Sequence, residues 1–240
     1  MYSFLLIGQS NASGRGFIDE VEKLDNTNLY SLRNGRWWPM YSPVNCDRVT
    51  AGISFAESFA YTCSKDFDVR VGIIPCADGG TCLDQWEKGD VLYDHAVMMS
   101  QLAMRSSKIA GVLWHQGESD CGDNNYMHYE EKCLKIFENL KKDLNLSDNV
   151  PFLVGGLGDF LADFNDEAIS KNYPIINKTL EKIADENDYI GFVSATGLGA
   201  NPDNLHFNAK SLREFGEMNK IITENSGKLE DISYSDIEKL

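Results

Sequence analysis

The sequence predicts an α/β fold built on a five-stranded, doubly wound parallel sheet, and three observations support this prediction. Short apolar segments alternate with longer segments of helical periodicity along the chain. Most of the apolar segments end abruptly at glycines or at a run of polar residues. The length of 240 residues suits one such domain. Strands that are separated by helices join a common sheet through right-handed parallel crossovers.

The first predicted strand runs from Tyr2 to Ile7 and ends at Gly8, Gln9, Ser10 and Asn11. A serine on a tight turn at the carboxyl end of a strand is where α/β enzymes hold a nucleophile or a bound ligand. A serine in this position can equally be a simple helix cap. Ser10 is therefore a candidate catalytic residue, and the turn alone does not distinguish this role from that of a helix cap.

Four more strands and five helices follow along the chain. The predicted strands are Val69–Pro75, Ile109–Trp114, Phe152–Leu157 and Tyr189–Ala195. The predicted helices cover about 53–65, 91–107, 125–144 and 170–186, and a last helix starts near Asn208. Residues 19–50 show no regular pattern, so we interpret them as an irregular segment that faces the substrate.

The chain is interpreted as a single domain over residues 1–240, with a core over about 1–225 and an acidic tail over about 228–240. No apolar run reaches the roughly 18 residues that a membrane span needs. The N-terminus lacks the basic region and the cleavage site of a signal peptide. We therefore predict a cytoplasmic protein, and the sequence leaves its oligomeric state open.

Charge and cysteine content narrow the range of partners. The formal net charge of −15 disfavours nucleic acid and anionic membranes, because both require a basic surface. We expect a small neutral substrate instead. The six cysteines contain no Cys-x-x-Cys pair, which predicts reduced thiols packed as small apolar groups. Their even number still permits disulfides.

The predicted sheet brings four separate segments of the chain together. In a parallel sheet all the carboxyl ends of the strands lie on one edge, and ligands bind there. That edge would carry Ser10, the Gly79-Gly80 turn, Gln116 and the loop from Asp203 to His206.

These side chains fit acyl transfer by a serine nucleophile. His206 can take the proton of Ser10, and Asp203, three residues earlier, can orient the imidazole. A tetrahedral intermediate also needs preorganised donors for its oxyanion. The backbone N–H of Ser10, a backbone N–H of Gly79 or Gly80, and the amide of Gln116 are the candidates. We predict neither a metal ion nor a cofactor.

Several other functions were weighed against this chemistry. A nucleotide-binding Rossmann fold is disfavoured because no Gly-x-Gly-x-x-Gly follows the first strand, and an α/β-hydrolase because no Gly-x-Ser-x-Gly is present. Cys76 as nucleophile and a metal site near Asp120 and Asp123 stay open as weaker alternatives. Glu118 is assigned a structural role, with Arg15 as a candidate ion-pair partner. Trp37, Trp38 and Trp86 either face a sugar or pack in the core.

The same motifs resemble those of a known enzyme superfamily. Gly8-Gln9-Ser10-Asn11, the segment Pro75-Cys76-Ala77 with Gly79-Gly80-Thr81, the string Trp114 to Asp120, and Asp203-x-x-His206 look like the blocks of the SGNH hydrolases. They most resemble its sialate O-acetylesterase-like branch, which includes carbohydrate esterase family six with its acetylxylan esterases. The similarity covers about residues 1–220.

This resemblance implies a flavodoxin-like three-layer α/β/α sandwich and metal-independent removal of acetyl groups from sugars. It implies Ser10 as nucleophile, His206 as base, Asp203 as the orienting acid and Gln116 at the third oxyanion position. Family members more often carry methionine where Ala12 stands, a difference that affects the shape of the acyl pocket. The alternatives are an esterase or thioesterase for other acyl esters and a non-catalytic carbohydrate-binding protein on an esterase scaffold.

Overall fold

A computed structural model describes residues 1–225, and these residues form one seven-stranded sheet with helices on both faces. The strand order is β3-β2-β4-β1-β5-β6-β7. The strands are β1 (Tyr2–Gly8), β2 (Leu29–Arg33), β3 (Arg36–Pro39), β4 (Val71–Pro75), β5 (Lys108–His115), β6 (Phe152–Gly155) and β7 (Ile190–Val193). The α-helices are α1 (Ser10–Ser13), α2 (Phe55–Phe67), α3 (Val91–Ala103), α4 (Tyr129–Asp143), α5 (Glu167–Glu186) and α6 (Ala209–Asn225).

All five strands predicted from the sequence are present and pair in parallel, as β4, β1, β5, β6 and β7. The predicted number of strands is wrong, because residues 19–50 are not wholly irregular. They contribute β2, which pairs in parallel with β4, and β3, which pairs with β2 in the antiparallel direction. The sheet is therefore mostly parallel, with one antiparallel pair at its edge.

The core lies in two layers, one on each face of the sheet. Strand β1 alternates between them: Leu5 and Ile7 face the larger cluster, and Phe4 and Leu6 face the other. Buried side chains of α3, α4 and α5 belong to the first cluster, whereas those of α2 and α6 belong to the second. Alternate side chains of a strand point to opposite faces, so a strand covered on both faces is apolar along its whole length.

The predicted helices are found within a few residues of their expected bounds. Two of them begin where a side chain caps the first turn: Ser54 accepts from Ala56 N ahead of α2, and Asp166 accepts from Ala168 N and Ile169 N ahead of α5. The predicted acidic tail at 228–240 lies outside the described residues. Within residues 1–225, no helix combines the length and apolarity needed to cross a membrane.

The cysteines of the chain form no disulfide in the structure. Cys63, Cys76, Cys121 and Cys133 are buried, as expected for reduced thiols that pack as apolar groups, whereas Cys46 is exposed and Cys82 is partly exposed. The packing prediction therefore applies to the four buried thiols.

Candidate active site

Ser10, His206 and Asp203 are joined by hydrogen bonds at the carboxyl end of β1. Ser10 Oγ lies 2.9 Å from His206 Nε2, and His206 Nδ1 lies 2.7 Å from Asp203 Oδ2. With Nδ1 protonated, the imidazole donates to the carboxylate and accepts from the serine hydroxyl. This is the relation between nucleophile, base and orienting acid that serine acyl transfer requires.

The Asp203 carboxylate is held by its own loop. Its Oδ1 accepts hydrogen bonds from Leu205 N and His206 N, both at 3.0 Å. Partial burial raises the pKa of Asp203, but the hydrogen bonds from His206 and the loop outweigh this effect, and the net pKa is lowered. The carboxylate is therefore ionised at neutral pH and able to hold the imidazole in one tautomer.

Gly8 and Gln9 fix the nucleophile turn against β5. Gly8 has φ +121°, and a Cβ built there would lie 2.1 Å from the carbonyl oxygen of His115, so only glycine fits. The buried Gln9 side chain accepts from the N–H groups of Gly117 and Ser119 at 3.3 Å each. The turn that carries the serine is therefore joined to the loop that follows β5.

Asn11 links the serine turn to the loop of the base. Its Nδ2 donates to Leu205 O at 3.1 Å, and its Oδ1 accepts from Phe207 N at 3.1 Å. These two backbone groups flank His206 on either side. The same Nδ2 lies 2.6 Å from Glu118 Oε1. Asn11, 1 % exposed, thus positions His206 relative to Ser10, a role that the sequence did not indicate.

Glu118 does not form the ion pair with Arg15 suggested from the sequence. Arg15 pairs with Asp47, with Nη2 and Oδ2 2.6 Å apart. Glu118 is buried, bonds to Asn11, and lies 3.8 Å from His115 Nδ1. His115 is also fully buried, with Nε2 3.1 Å from Gly156 O, and burial lowers its pKa. The buried side chains of Glu118 and His115 pack behind Asn11 and the serine turn, which is consistent with a structural role for Glu118.

The Gly79-Gly80 turn lies beside the serine. A Cβ built on Gly79 would come within 3.4 Å of Ser10 Cβ. The N–H of Gly79 donates to Asp47 Oδ2 at 2.8 Å. Within residues 1–225, the N–H groups of Ser10 and Gly80 donate to no acceptor, which leaves both available to a ligand.

Gln116 lies beneath this turn and is completely buried. Its Nε2 is 3.1 Å from Thr81 O and 3.3 Å from Gln9 Oε1, and it also contacts Asp120 Oδ2. An amide nitrogen carries two protons, and these three acceptors account for them. The contacts favour a bracing role for Gln116, and its predicted oxyanion role stays a prediction.

A short segment from residue 45 to 48, within the stretch interpreted as facing the substrate, bridges the two loops of the site. Asn45 Nδ2 donates to Ser13 Oγ and to Ala77 O, both at 2.9 Å. Asp47 accepts from Ser13 Oγ and Arg15 on one side and from Gly79 N on the other. Burial raises the pKa of Asp47, but hydrogen bonds from Arg15 and Ser13 and the charge of Arg15 outweigh it, and the net pKa is lowered.

The weaker alternatives receive little support from the surroundings of their residues. Cys76 is 4 % exposed, and burial raises the pKa of its thiol, which opposes formation of a thiolate nucleophile. Asp120 accepts from Leu83 N at 3.1 Å as well as contacting Gln116. Among the residues described, no three His, Cys, Asp or Glu side chains are grouped closely enough to hold a metal ion.

The tryptophans divide between core and surface. Trp86 is 1 % exposed, packs edge-on against Trp114, and donates to Thr81 Oγ1 at 3.1 Å, so it supports the loop that carries Gly80. Trp37 packs against Gly72, and Trp38 is 51 % exposed on the edge strand β3. A sugar-facing role for Trp86 is therefore wrong.

Comparison with known proteins identifies similar sequences. Residues 1–221 match the family model described as carbohydrate esterase, sialic acid-specific acetylesterase. A curated relative, a "Probable carbohydrate esterase" of Arabidopsis thaliana, is 29% identical over 238 residues, which cover 89% of this chain and 86% of the relative.

Solved structures share the fold. The crystal structure of the same Arabidopsis protein has a TM-score of 0.83 and 24% identity, and the match covers 93% of this chain and 98% of that one. NanS has a TM-score of 0.71 and 17% identity over 95% and 97% of the two chains. A carbohydrate acetylesterase of Xanthomonas citri, at 0.68 and 17%, matches over 97% of this chain and 58% of its own.

Proposed function

We propose that this chain, which belongs to the carbohydrate esterase family of sialic acid-specific acetylesterases, removes O-acetyl groups from sugars through an acetyl-enzyme on Ser10. Family membership makes the chain a carboxylic ester hydrolase of the carbohydrate esterase class. The observation that carries the finer proposal is the unbroken hydrogen-bonded series from Ser10 through His206 to Asp203.

In the first half-reaction, Ser10 Oγ attacks the acetyl carbonyl carbon while His206 Nε2 takes the hydroxyl proton. The carbonyl oxygen becomes an oxyanion, and we assign the hydrogen bonds to it to the N–H groups of Ser10 and Gly80, which have no acceptor within residues 1–225. The tetrahedral intermediate then collapses, the bond from carbon to the sugar oxygen breaks, and the imidazolium returns its proton to the leaving sugar hydroxyl.

In the second half-reaction, water replaces the sugar. His206 takes a proton from the water as its oxygen attacks the acetyl-Ser10 carbonyl carbon. The tetrahedral intermediate collapses, the bond from carbon to Ser10 Oγ breaks, and the imidazolium returns its proton to Ser10 Oγ as acetate leaves. Throughout the cycle Asp203 remains a carboxylate that holds the imidazole and stabilises its charged form, in keeping with its lowered pKa.

The proposed substrate is a small acetylated sugar or oligosaccharide. The matching family is described as specific for sialic acid, and the similar protein of Xanthomonas citri is described as a carbohydrate acetylesterase. These descriptions support acetylated carbohydrates as a class and leave xylan fragments, sialic acid and other acetylated sugars as candidates.

Ser10→Ala should abolish acetate release from a panel of acetylated sugars while leaving the melting temperature close to that of the wild type. A fluorophosphonate should label the wild-type protein at Ser10, as read by peptide mass spectrometry, and should fail to label Ser10→Ala. Ser194→Ala is the matched control, because Ser194 also follows a strand and its hydroxyl, at the surface, bonds to Thr196 Oγ1 and Thr196 N. Acetate release by Ser10→Ala at the wild-type rate, or a phosphonate adduct on another residue, would refute the acetyl-enzyme.

A further inference from the structure

We infer that Asp47 is a positioning residue for the oxyanion site. Because Asp47 occupies the N–H of Gly79, the N–H of Gly80 joins that of Ser10 as the second donor to the oxyanion. The inference rests on the proposed function and adds to it a residue and a donor assignment. The juxtaposition that carries it is a buried carboxylate bonded both to the segment that follows Ser10 and to the turn of the two glycines.

Gly79 and Gly80 differ in whether their N–H groups are already occupied. Asp47 Oδ2 accepts from Gly79 N at 2.8 Å, so this N–H already points at a carboxylate. The Asp47 side chain is only 2 % exposed, and a hydrogen bond to a buried charged acceptor is strong. The N–H of Gly79 is thereby committed, and the N–H of Gly80 has no acceptor within residues 1–225.

Asp47 also links the glycine turn to the segment that follows Ser10. Asp47 Oδ1 accepts from Ser13 Oγ and lies 3.1 Å from Arg15 Nη1, and Arg15 Nη1 also donates to Gly14 O at 2.9 Å. Ser13 and Arg15 follow the turn of Ser10 in the sequence. One carboxylate therefore joins the segment after Ser10 to Gly79, and this fixes how far the N–H of Gly80 lies from Ser10 Oγ.

The charge of Asp47 is balanced by Arg15. A lone carboxylate near the reacting carbonyl would oppose the negative charge that develops on the substrate oxygen. Arg15 Nη2 lies 2.6 Å from Asp47 Oδ2, and the Arg15 side chain is 8 % exposed. The pair is electrically balanced, so Asp47 can orient the glycine turn without destabilising the oxyanion.

Asp47→Ala should lower kcat by about 10- to 100-fold on an acetylated sugar, with KM within about twofold of the wild type, because a misplaced donor acts mainly in the transition state. A methyl trifluoromethyl ketone adds to the serine and forms a tetrahedral oxyanion, so its affinity should fall by a similar factor. The affinity for the deacetylated sugar, which presents no oxyanion, should change little.

Two variants keep this test informative. Asp47→Asn retains one carbonyl acceptor for Gly79 N, so it should fold if Asp47→Ala does not, and its kcat should still fall several-fold while KM holds. Asp143→Ala is the matched control, because Asp143 accepts from Lys88 Nζ at 2.6 Å and Tyr93 Oη at 2.8 Å away from the site. Its kcat and its ketone affinity should equal those of the wild type.

Wild-type kcat in Asp47→Asn and Asp47→Ala would overturn the inference, and so would an equal loss of affinity for the ketone and for the deacetylated sugar. Failure of the proposed function gives a different result: the wild type would then release no acetate, or Ser10→Ala would release it at the normal rate. An active, Ser10-dependent enzyme that is insensitive to Asp47 therefore refutes the positioning role alone.

Discussion

The residues of the turn from Gly8 to Asn11 contact three other parts of the chain. Gly8 allows the close approach of β1 to β5, and Gln9 accepts from the backbone of the loop after β5. Ser10 faces the base, and Asn11 bonds to the backbone on both sides of His206. Four consecutive residues thus set the position of Ser10 relative to β5, to the loop after β5 and to the loop of His206. The side-chain amides of Gln9 and Asn11 make these contacts with backbone groups, so their hydrogen-bonding geometry is required.

The buried contacts of Gln116 lead to a prediction at this scale. Gln116→Ala removes hydrogen bonds to Thr81 O and Asp120, and a buried group left without a partner costs roughly 1–3 kcal/mol. We expect a lower melting temperature with kcat of the folded fraction within a few-fold of the wild type. Gln116→Glu should destabilise more, because it places a second carboxylate beside the buried Asp120.

The measurements are kcat, KM and melting temperature on both variants, with the folded fraction counted by phosphonate labelling. Gln116 would instead be an oxyanion donor if Gln116→Ala lowered kcat by about 10²–10³ at an unchanged KM and melting temperature.

The sequence predicts the candidate reacting residues, which the structure brings together, more readily than the residues that hold them. Ser10 lies in a motif directly after a predicted strand, and His206 lies in a motif just before the last predicted helix. Asn11 and Asp47 bond to backbone atoms far away along the chain, and no periodicity marks such a contact. The sequence suggests an ion pair of Arg15 with Glu118, and this is wrong because charge alone does not distinguish Glu118 from Asp47.

At the scale of the elements, the strand pair β2–β3 was missed although a local signal was present. Asn34 and Gly35 join the two strands with φ values of 48° and 73°. Positive φ at both central residues is typical of the type I′ hairpin turn, for which Asn-Gly is a preferred sequence. The strands themselves are short, and β3 carries exposed residues such as Trp38, so neither alternates clearly enough to be recognised.

Helices α2 and α6 pack together around a buried ion pair, which provides a prediction about stability. Glu57 Oε2 lies 3.0 Å from Arg213 Nη1, and the two side chains are 4 % and 13 % exposed. Ser42 Oγ also donates to this carboxylate at 2.7 Å. Removing one member of a buried pair costs about 3–5 kcal/mol, because the remaining charge is left uncompensated. We expect Arg213→Met to lower the free energy of unfolding by this amount at pH 8.

The destabilisation caused by Arg213→Met should depend on pH. Burial raises the pKa of Glu57 in the folded protein despite the opposing charge of Arg213. The folded state therefore binds the proton of Glu57 more tightly than the unfolded state does, and the free energy of unfolding decreases as pH rises. Without Arg213 this pKa rises further, and the loss in Arg213→Met should be smaller at pH 5 than at pH 8. Urea unfolding at both pH values measures this difference in the free energy of unfolding. Lys182→Met, which breaks the exposed pair with Glu130, is the control. A pH-independent difference would contradict this account.

At the scale of the molecule, the strand order explains why the site forms where it does. Strand β1 lies between β4 and β5, and the chain leaves β1 toward one neighbour and later returns to the other. Loops that follow adjacent strands diverge at such a switch point and leave a crevice at the carboxyl edge. The serine turn follows β1, the glycine turn follows β4, and Gln116 follows β5. This convergence was predictable from the order of elements alone, because it depends on parallel pairing and not on any single contact.

The net charge of −15 gives a prediction that separates the candidate substrates. A strongly negative protein repels an anionic sugar over the distance that salt leaves unscreened, about 30 Å at 0.01 M and about 10 Å at 0.1 M ionic strength. We expect kcat/KM for an acetylated sugar that carries a carboxylate to rise several-fold as sodium chloride increases from about 0.01 to about 0.3 M. The value for a neutral acetylated sugar should stay constant.

The neutral sugar serves as the control for any effect of salt on folding or on the chemical step, since both substrates share the same acetyl transfer. A decrease of kcat/KM with salt for the anionic sugar would contradict the prediction and would indicate local attraction that overcomes the net charge. Arg48 would then be the first residue to replace, because its half-exposed guanidinium lies beside the glycine turn, 3.1 Å from Gly79 O and 2.7 Å from Asp78. Arg48→Gln should in that case remove the attraction for the anionic sugar and leave kcat/KM for the neutral one unchanged.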